Sequence, residues 1–163
     1  MRSDQRACIA RRSTDLVMLV LLVAGFMKAI DISAFALAMR SWTLFPQWLP
    51  LLLAPVVPAV EIALAAAWFL NLWRPHVVAG TIVMLLSFTG VYALHLALGE
   101  APNCGCLGLL EAFRDATHEA TVVLTRNGVL LALLFTGVVL RRGGANVAPD
   151  RGVEHVAVAP GAR

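Results

Sequence analysis

The chain has 163 residues, of which 60% are hydrophobic and 14% are charged, and its formal net charge is +3. Its mean hydropathy is +0.79. Soluble domains are about 45–50% apolar and about 25% charged, so this composition excludes an ordinary soluble protein and indicates an integral membrane protein.

Four apolar stretches are long enough to cross a bilayer as helices. They lie near residues 16–38, 51–71, 77–98 and 121–140. A hydrocarbon core of roughly 30 Å takes about 20 helical residues. Backbone groups in lipid must be satisfied within the segment, and the sequence lacks the alternating pattern of a β-barrel. The sequence therefore predicts an all-α integral membrane four-helix bundle.

The residues outside the spans divide the chain into three parts. We expect a basic cytoplasmic head at residues 1–15, a four-span membrane domain at 16–141 and a disordered cytoplasmic tail at 142–163, which is rich in Gly and Pro. The connection at residues 41–50 has the aromatic and proline residues of a membrane-interface belt. Apolar residues at 109–116 recur at near-helical spacing, which predicts a short amphipathic outer segment between the third and fourth spans.

Lys and Arg near the span ends predict the orientation, because cytoplasmic loops carry an excess of positive charge. One side would carry Arg2, Arg6, Arg11, Arg12, Arg74, Arg141 and Arg142. The connections on the other side are neutral to acidic. We therefore expect a multi-pass protein of a bacterial inner membrane with both termini in the cytoplasm. The connection between the third and fourth spans would then face an oxidising compartment.

Ionisable residues inside the predicted spans are Lys28, Asp31, Glu61, His95 and Arg126. Charged residues cost about 2.5–3.5 kcal/mol each on insertion scales, so each needs a partner or a purpose. The helical rise puts Glu61 near the midplane and the others in the outer half of the membrane, which indicates a site in the bundle interior. In a structural alternative, Lys28 pairs with Asp31 on one helix face. Arg126 would then extend to the interface or bind Glu61, and His95 would be an interfacial anchor.

The connection after the third span contains two thiols one residue apart, in Cys104-Gly-Cys106-Leu-Gly108. The intervening Gly105 lets the backbone bend enough for the two sulfurs to meet. The resulting small ring would depart from relaxed disulfide geometry and would be reducible, which suits thiol–disulfide exchange.

Two other chemistries are open for the same turn. Two soft ligands, with His95 or His118 as a third, could hold Zn²⁺ or Cu⁺. Nothing in the spacing specifies further ligands, so we assign no residue to a metal. In the remaining interpretation, the two cysteines form a static disulfide or simply pack.

At these positions the chain resembles the MauE proteins of the DoxX-like integral membrane superfamily. The matching residues are Gly25, Lys28, Asp31, Pro50, Pro58, Glu61, Cys104, Gly105, Cys106, Gly108, Arg126 and Asn127. The resemblance covers roughly residues 15–141, and Leu107 replaces the aromatic residue of the family's usual turn. It implies a four-helix membrane protein associated with maturation of the disulfide-rich small subunit of periplasmic methylamine dehydrogenase, beside a thioredoxin-like protein.

We therefore expect a membrane thiol–disulfide oxidoreductase that acts with a thioredoxin-like extracytoplasmic protein and a maturing substrate protein. The residues predicted to carry the reaction are Cys104, Cys106, Lys28, Glu61 and Arg126, supported by Asp31, His95, Gly105, Gly108 and Asn127. Arg126 and Lys28 would favour the thiolate and Glu61 would relay protons. By analogy with other four-helix thiol oxidoreductases, a quinone would regenerate the dithiol. We expect no nucleic-acid partner; the alternatives are a non-catalytic membrane scaffold and a metal-handling protein.

Overall fold

The structure is a computed structural model that describes residues 3–99 and 116–145, with side chains at 5–99 and 120–141. These residues form the helices α1 (Ser3–Ile30), α2 (Ile32–Met39), α3 (Leu49–Phe69), α4 (Arg74–Ala97) and α5 (Ala116–Ala145). The stretches that are long and apolar enough to span a membrane are Gln5–Ile30, Leu49–Phe69, Arg74–Ala97 and Ala120–Arg141. The described part of the chain is therefore an all-helical, multi-pass membrane protein, which confirms the predicted fold class.

The first predicted span is interrupted, because α1 ends at Ile30 and a separate short helix follows. Asp31 lies between the two helices with φ −128° and ψ 72°, and its Oδ1 accepts a hydrogen bond of 2.8 Å from the backbone N–H of Ala34. Asp31 is thus the N-cap of α2, since its carboxylate satisfies a backbone donor that the first helical turn leaves unpaired. The structure divides residues 16–38, predicted as one span, into two helices.

The long helices alternate in direction around the bundle. Asp15 and Lys28 of α1 contact Trp68 and Glu61 of α3, so residue numbers rise along α1 as they fall along α3. The short connection at residues 70–73 makes α3 and α4 antiparallel neighbours. Both α1 and α4 pack against α3 and α5, and α2 packs against α3. The architecture is an up-down-up-down four-helix bundle with one short helix added.

The two ends of the bundle are named here after tryptophans. The Trp68 end contains Asp15 and the connection between α3 and α4. The Trp42 end contains α2, the connection between α2 and α3, and the end of α4 with His95. The beginning of α1 and the end of α5 both lie at the Trp68 end, because these two helices are antiparallel. The side of the membrane that each end faces stays a prediction.

Two glycines set the distance between α1 and its neighbours. A Cβ atom at Gly25 would lie 2.9 Å from Cγ1 of Ile62 and 3.1 Å from Cβ of Glu61 on α3. A Cβ atom at Gly137 of α5 would lie 2.8 Å from the hydroxyl oxygen of Thr14. Small residues permit such close approach in membranes, where van der Waals packing drives helix association. Gly25 therefore fixes the position of α1 against the part of α3 that carries Glu61.

Apolar side chains cover both the inside and the outside of the bundle. Met18, Leu85 and Leu134 belong to a buried central cluster that joins α1, α4 and α5. Large apolar residues also face outward, and Leu86 and Phe135 are 53% and 68% exposed. An apolar exterior of this kind on helices of spanning length contacts the lipid bilayer.

Candidate functional site

A buried ion pair joins Lys28, in the last turn of α1, to Glu61 in α3. The Nζ atom of Lys28 donates to Oε1 of Glu61 at 2.6 Å and to Oε2 at 2.8 Å. The two residues are 4% and 6% exposed. Charge-assisted hydrogen bonds of this kind are about twice as strong as neutral ones, and pairing avoids leaving either charge alone in a buried position. In the structure Lys28 thus pairs with Glu61, and the Asp31 carboxylate caps α2.

Helix α2 covers the ion pair on one side. The ring centroid of Phe35, a buried residue of α2, lies 5.6 Å from the Nζ atom of Lys28. This distance is within the range of a cation–π contact. Asp31 sets the direction of α2 by capping its first turn, so it acts on the site through the position of Phe35.

A chain of hydrogen bonds links α5 to α4 beside the ion pair. Atoms Nε and Nη2 of Arg126 donate to Oδ1 of Asn127 at 3.4 and 3.3 Å. The amide of Asn127 donates to Oγ1 of Thr89 at 3.1 Å, and that hydroxyl donates to the carbonyl oxygen of Leu85 at 2.7 Å. Asn127 is 4% exposed. This buried bridge holds the start of α5 against α4.

The ion pair and this hydrogen-bond chain meet at one cavity of about 40 Å³. Its polar lining residues are Lys28, Glu61, Tyr92, Arg126 and Asn127, and its apolar ones are Phe35, Trp42, Met84, Leu85, Phe88 and Val123. A water molecule occupies about 30 Å³ in the liquid, whereas a cavity of about 150 Å³ takes a benzene ring. The cavity therefore has room for a water molecule and not for a ring-sized ligand.

Trp42 closes the cavity from the connection between α2 and α3. It is 4% exposed, and its ring centroid lies 6.4 Å from that of Phe88 and 6.2 Å from that of Tyr92. The sequence predicts an interface belt for the connection at residues 41–50. In the structure one tryptophan of this connection is a buried wall of the site.

His95 lies beside the cavity without lining it. It is fully buried, and its ring centroid lies 5.3 Å from that of Trp42. Its Nδ1 lies 2.9 Å from the carbonyl oxygen of Val91, and the backbone N–H of Leu44 donates to its Nε2 at 3.4 Å. Since a carbonyl only accepts and an N–H only donates, these partners fit the tautomer that carries its hydrogen on Nδ1 and accepts at Nε2. His95 therefore ties the connection between α2 and α3 to α4.

The predicted thiol pair lies outside the described residues, as do Gly105 and Gly108. Cys104 lies five residues after Gly99, and five residues of fully extended chain span at most about 18 Å. Because α4 ends and α5 begins at the Trp42 end, the segment with Cys104 and Cys106 is attached to the end of the bundle that contains the cavity. Among the side chains that the structure describes, at residues 5–99 and 120–141, no group of three His, Cys, Asp or Glu residues could hold a metal ion; His118 lies outside this set.

Thr89, Tyr92 and the aromatic walls of the cavity were not predicted from the sequence. Thr89 and Tyr92 lie three residues apart on α4, and this spacing puts two polar groups on one helix face. This spacing could have identified both residues from the sequence. The burial of Phe35 and Trp42 could not be predicted in this way, because it follows from the turn of the chain at Asp31.

Comparison with known proteins matches this chain to a protein family. The model of a protein family matches residues 7–140, and that family is described as methylamine utilisation protein MauE. The matched range includes every residue that lines the cavity. None of the curated proteins compared with the chain matches it, and neither does any solved structure.

Proposed function

We propose, because the chain belongs to the family described as methylamine utilisation protein MauE, that it takes part in thiol–disulfide exchange during the maturation of extracytoplasmic proteins. The observation that supports this proposal is the cavity at the Trp42 end, which Lys28, Glu61 and Arg126 line. Charged residues inside a membrane are costly and typically mark functional sites. The segment that carries Cys104 and Cys106 is attached at the same end.

In the proposed reaction, Cys104 and Cys106 exchange with the disulfide of a thioredoxin-like extracytoplasmic protein. A thiolate of the pair attacks one sulfur of that disulfide, a mixed disulfide forms, and the other partner sulfur leaves as a thiolate. The second cysteine then displaces the remaining partner sulfur. The pair becomes a disulfide, and the partner gains two electrons and, after protonation, two thiols. The reverse sequence oxidises the partner.

The charged residues of the cavity have different proposed roles. Arg126 is half-buried, and we assign it to stabilisation of the attacking thiolate, since a nearby cation favours that form. The charge of Lys28 is already balanced by Glu61 at 2.6 Å. We assign to this pair the handling of a proton, because an N–H group and a carboxylate are in direct contact beside a water-sized space.

A quinone, expected by analogy as the electron carrier, does not fit the cavity. The volume of about 40 Å³ is far below the roughly 150 Å³ that a benzene ring needs. A neighbouring cleft that shares Trp42 and Phe88 has about 150 Å³, but its walls are apolar and offer no partner to quinone oxygens. The Ser87 hydroxyl in this cleft donates to the carbonyl oxygen of Val83. We therefore assign no quinone step to these two spaces. A larger cleft of about 590 Å³ at the same end is lined by Arg40, Thr43 and Gln47, and a quinone there stays a prediction.

The proposed location is a bacterial inner membrane, with the Trp42 end outside and both termini in the cytoplasm. This orientation is supported by the arginines at the Trp68 end, which include Arg6, Arg11, Arg12 and Arg74. Positive charge of this kind is retained on the cytoplasmic side during insertion. The thiol pair would then work in an oxidising compartment.

The test begins with the capture of the partner. A Cys106→Ser variant keeps Cys104 as the attacking thiol, so a mixed disulfide with the partner should accumulate in membranes and can be identified. Transfer of electrons between that partner and the chain is then measured in Cys104→Ser, Cys106→Ser and Cys8→Ser variants. Cys8 is exposed on α1 at the Trp68 end and is the matched control.

We expect loss of transfer in the Cys104 and Cys106 variants and wild-type transfer in the Cys8 variant. Full transfer in a Cys104→Ser and Cys106→Ser double variant would contradict the proposal. Alkylation of the cysteines in living cells, with and without reductant, separates exchange from the alternative of a non-catalytic scaffold. A pair that keeps one thiol state under all conditions would favour the scaffold.

A further inference from the structure

A cluster of charged side chains surrounds Trp68 at the end of the bundle opposite to the cavity. The indole Nε1 of Trp68 donates to Oδ1 of Asp15 at 2.7 Å. The guanidinium carbons of Arg74 and Arg141 lie 4.9 and 5.1 Å from the centroid of the Trp68 ring. These four residues, named here the Trp68 cluster, come from α1, α3, α4 and α5. Cation–π contacts with a buried ring hold both guanidinium groups in place.

The Trp68 cluster carries more positive than negative charge. Its carboxylate, Asp15, already accepts from Trp68 and lies 3.9 Å from Nε of the neighbouring Arg11. The Nε atom of Arg74 is buried and has no hydrogen-bond partner among the described residues. Two guanidinium groups beside one ring, with a single carboxylate that already has other partners, favour a further anionic acceptor.

The position of the cluster along the spans indicates which anion is available. Arg74 is the first residue of the third span and Arg141 is the last residue of the fourth. The ends of spans lie at the level of the lipid headgroups, where the phosphate groups are.

The connection next to these arginines has the features of a membrane anchor. Leu70 is 68% exposed and Trp73 is 81% exposed. Trp73 has φ 41°, a left-handed conformation that bulky residues rarely adopt. Tryptophan is enriched at membrane–water interfaces, so an exposed Trp73 suits the headgroup layer. The cations of the Trp68 cluster thus lie beside apolar side chains that can contact acyl chains.

We propose that Arg74 and Arg141 bind a phosphate group at the Trp68 end, supplied by the headgroup of an anionic phospholipid. The planar guanidinium group matches two phosphate oxygens at once. The Trp68 ring positions both guanidinium groups, and the hydrogen bond to Asp15 fixes the ring. This lipid site is separate from the cavity and does not depend on the proposed thiol reaction.

The experiment compares the purified chain in vesicles of phosphatidylcholine alone and in vesicles that also contain phosphatidylglycerol. The midpoint of thermal unfolding and the lipid retained in native mass spectrometry are measured for the wild type, an Arg74→Gln and Arg141→Gln double variant, and Arg12→Gln. Arg12 is an exposed residue of α1 at the same end and is the matched control for general surface charge. A third set of samples has inorganic phosphate added to the phosphatidylcholine vesicles.

We expect phosphatidylglycerol to raise the unfolding midpoint of the wild type and of Arg12→Gln, and to be retained by both. The double variant should bind it at least roughly tenfold more weakly, the loss expected for one charge-assisted hydrogen bond. Retention is also measured for Arg74→Lys with Arg141→Lys, which keeps the charge without the guanidinium fork and should lie between wild type and the glutamine variant.

Two results would overturn the lipid site. One is the same lipid retention in the double variant as in Arg12→Gln, which would mean general surface charge. The other is no difference between the two vesicle types. A stabilisation by inorganic phosphate equal to that by phosphatidylglycerol would overturn the lipid as the source of the phosphate.

Discussion

Lys28 and Glu61 meet inside the bundle with both carboxylate oxygens on one ammonium group, across the contact between α1 and α3. Each of them is more than nine-tenths buried, so neither charge can be solvated by bulk water. The two helices are therefore joined by a bond whose strength depends on both partners being present.

Removal of one partner of this pair should destabilise the bundle strongly. Lys28→Met or Glu61→Leu alone is expected to cost about 3–5 kcal/mol, because the remaining charge is buried without compensation. The double variant should recover most of this loss. Reversible unfolding in detergent for both single variants and the double variant measures the coupling, and a double variant as unstable as the sum of the singles would disprove it.

Gly25→Ala tests the close contact on which this pair depends. The added methyl group would lie 2.9 Å from Ile62 and 3.1 Å from Glu61, so helices or side chains must move. We expect a loss of about 1–3 kcal/mol in unfolding free energy, as for other overpacked cores. The matched control is Gly90→Ala on α4, where no heavy atom lies within 4 Å of the added carbon. That control should be neutral or slightly stabilising, and an equal loss at both positions would argue against a specific contact.

The hydrogen bond between Asn127 and Thr89 should be measurable as a coupling energy between substitutions at these two positions. Interhelical hydrogen bonds in membranes average about 0.6 kcal/mol and reach about 1.7 kcal/mol in double-mutant cycles. We expect a value in this range between Asn127→Ala and Thr89→Val. Thr136→Val is the control partner, since its exposed hydroxyl donates to the Ala132 carbonyl oxygen of its own helix. A cycle with Thr136 should give a coupling near zero.

Arg126→Gln should raise the pKa of the attacking thiol if this cation stabilises the thiolate. We expect a rise of about one unit, seen as roughly tenfold slower alkylation of that thiol at neutral pH. The rate is measured against pH in a variant that lacks Cys8. Arg40→Gln is the control, because Arg40 is an exposed cation at the end of α2. An unchanged pH profile in Arg126→Gln would remove this residue from the proposed mechanism.

Composition and helical length were sufficient to predict the membrane class and the four spans. The cost of buried charge also identified Lys28, Glu61 and Arg126 as residues of interest, and the family resemblance added Asn127. The structure brings these four to one cavity. Both arguments depend on the bilayer as solvent, which acts on every residue of a span in the same way.

The partner of each charge could not be read from the sequence. Lys28 could pair within its helix or across to α3, and the choice depends on how closely Gly25 lets the helices approach. The interruption of the helix at Asp31 could not be predicted either, because apolar residues continue on both sides of it. The Asp31 carboxylate competes with the helix for a single backbone N–H, that of Ala34, and this local competition leaves no pattern in the sequence. The positions of Phe35 and Trp42 follow from that interruption.

The small volume of the cavity limits what can lie next to the ion pair of Lys28 and Glu61. A space of about 40 Å³ admits a water molecule, so a proton can change partners beside the two charges, whereas a hydrated ion or a ring-sized molecule has no room there.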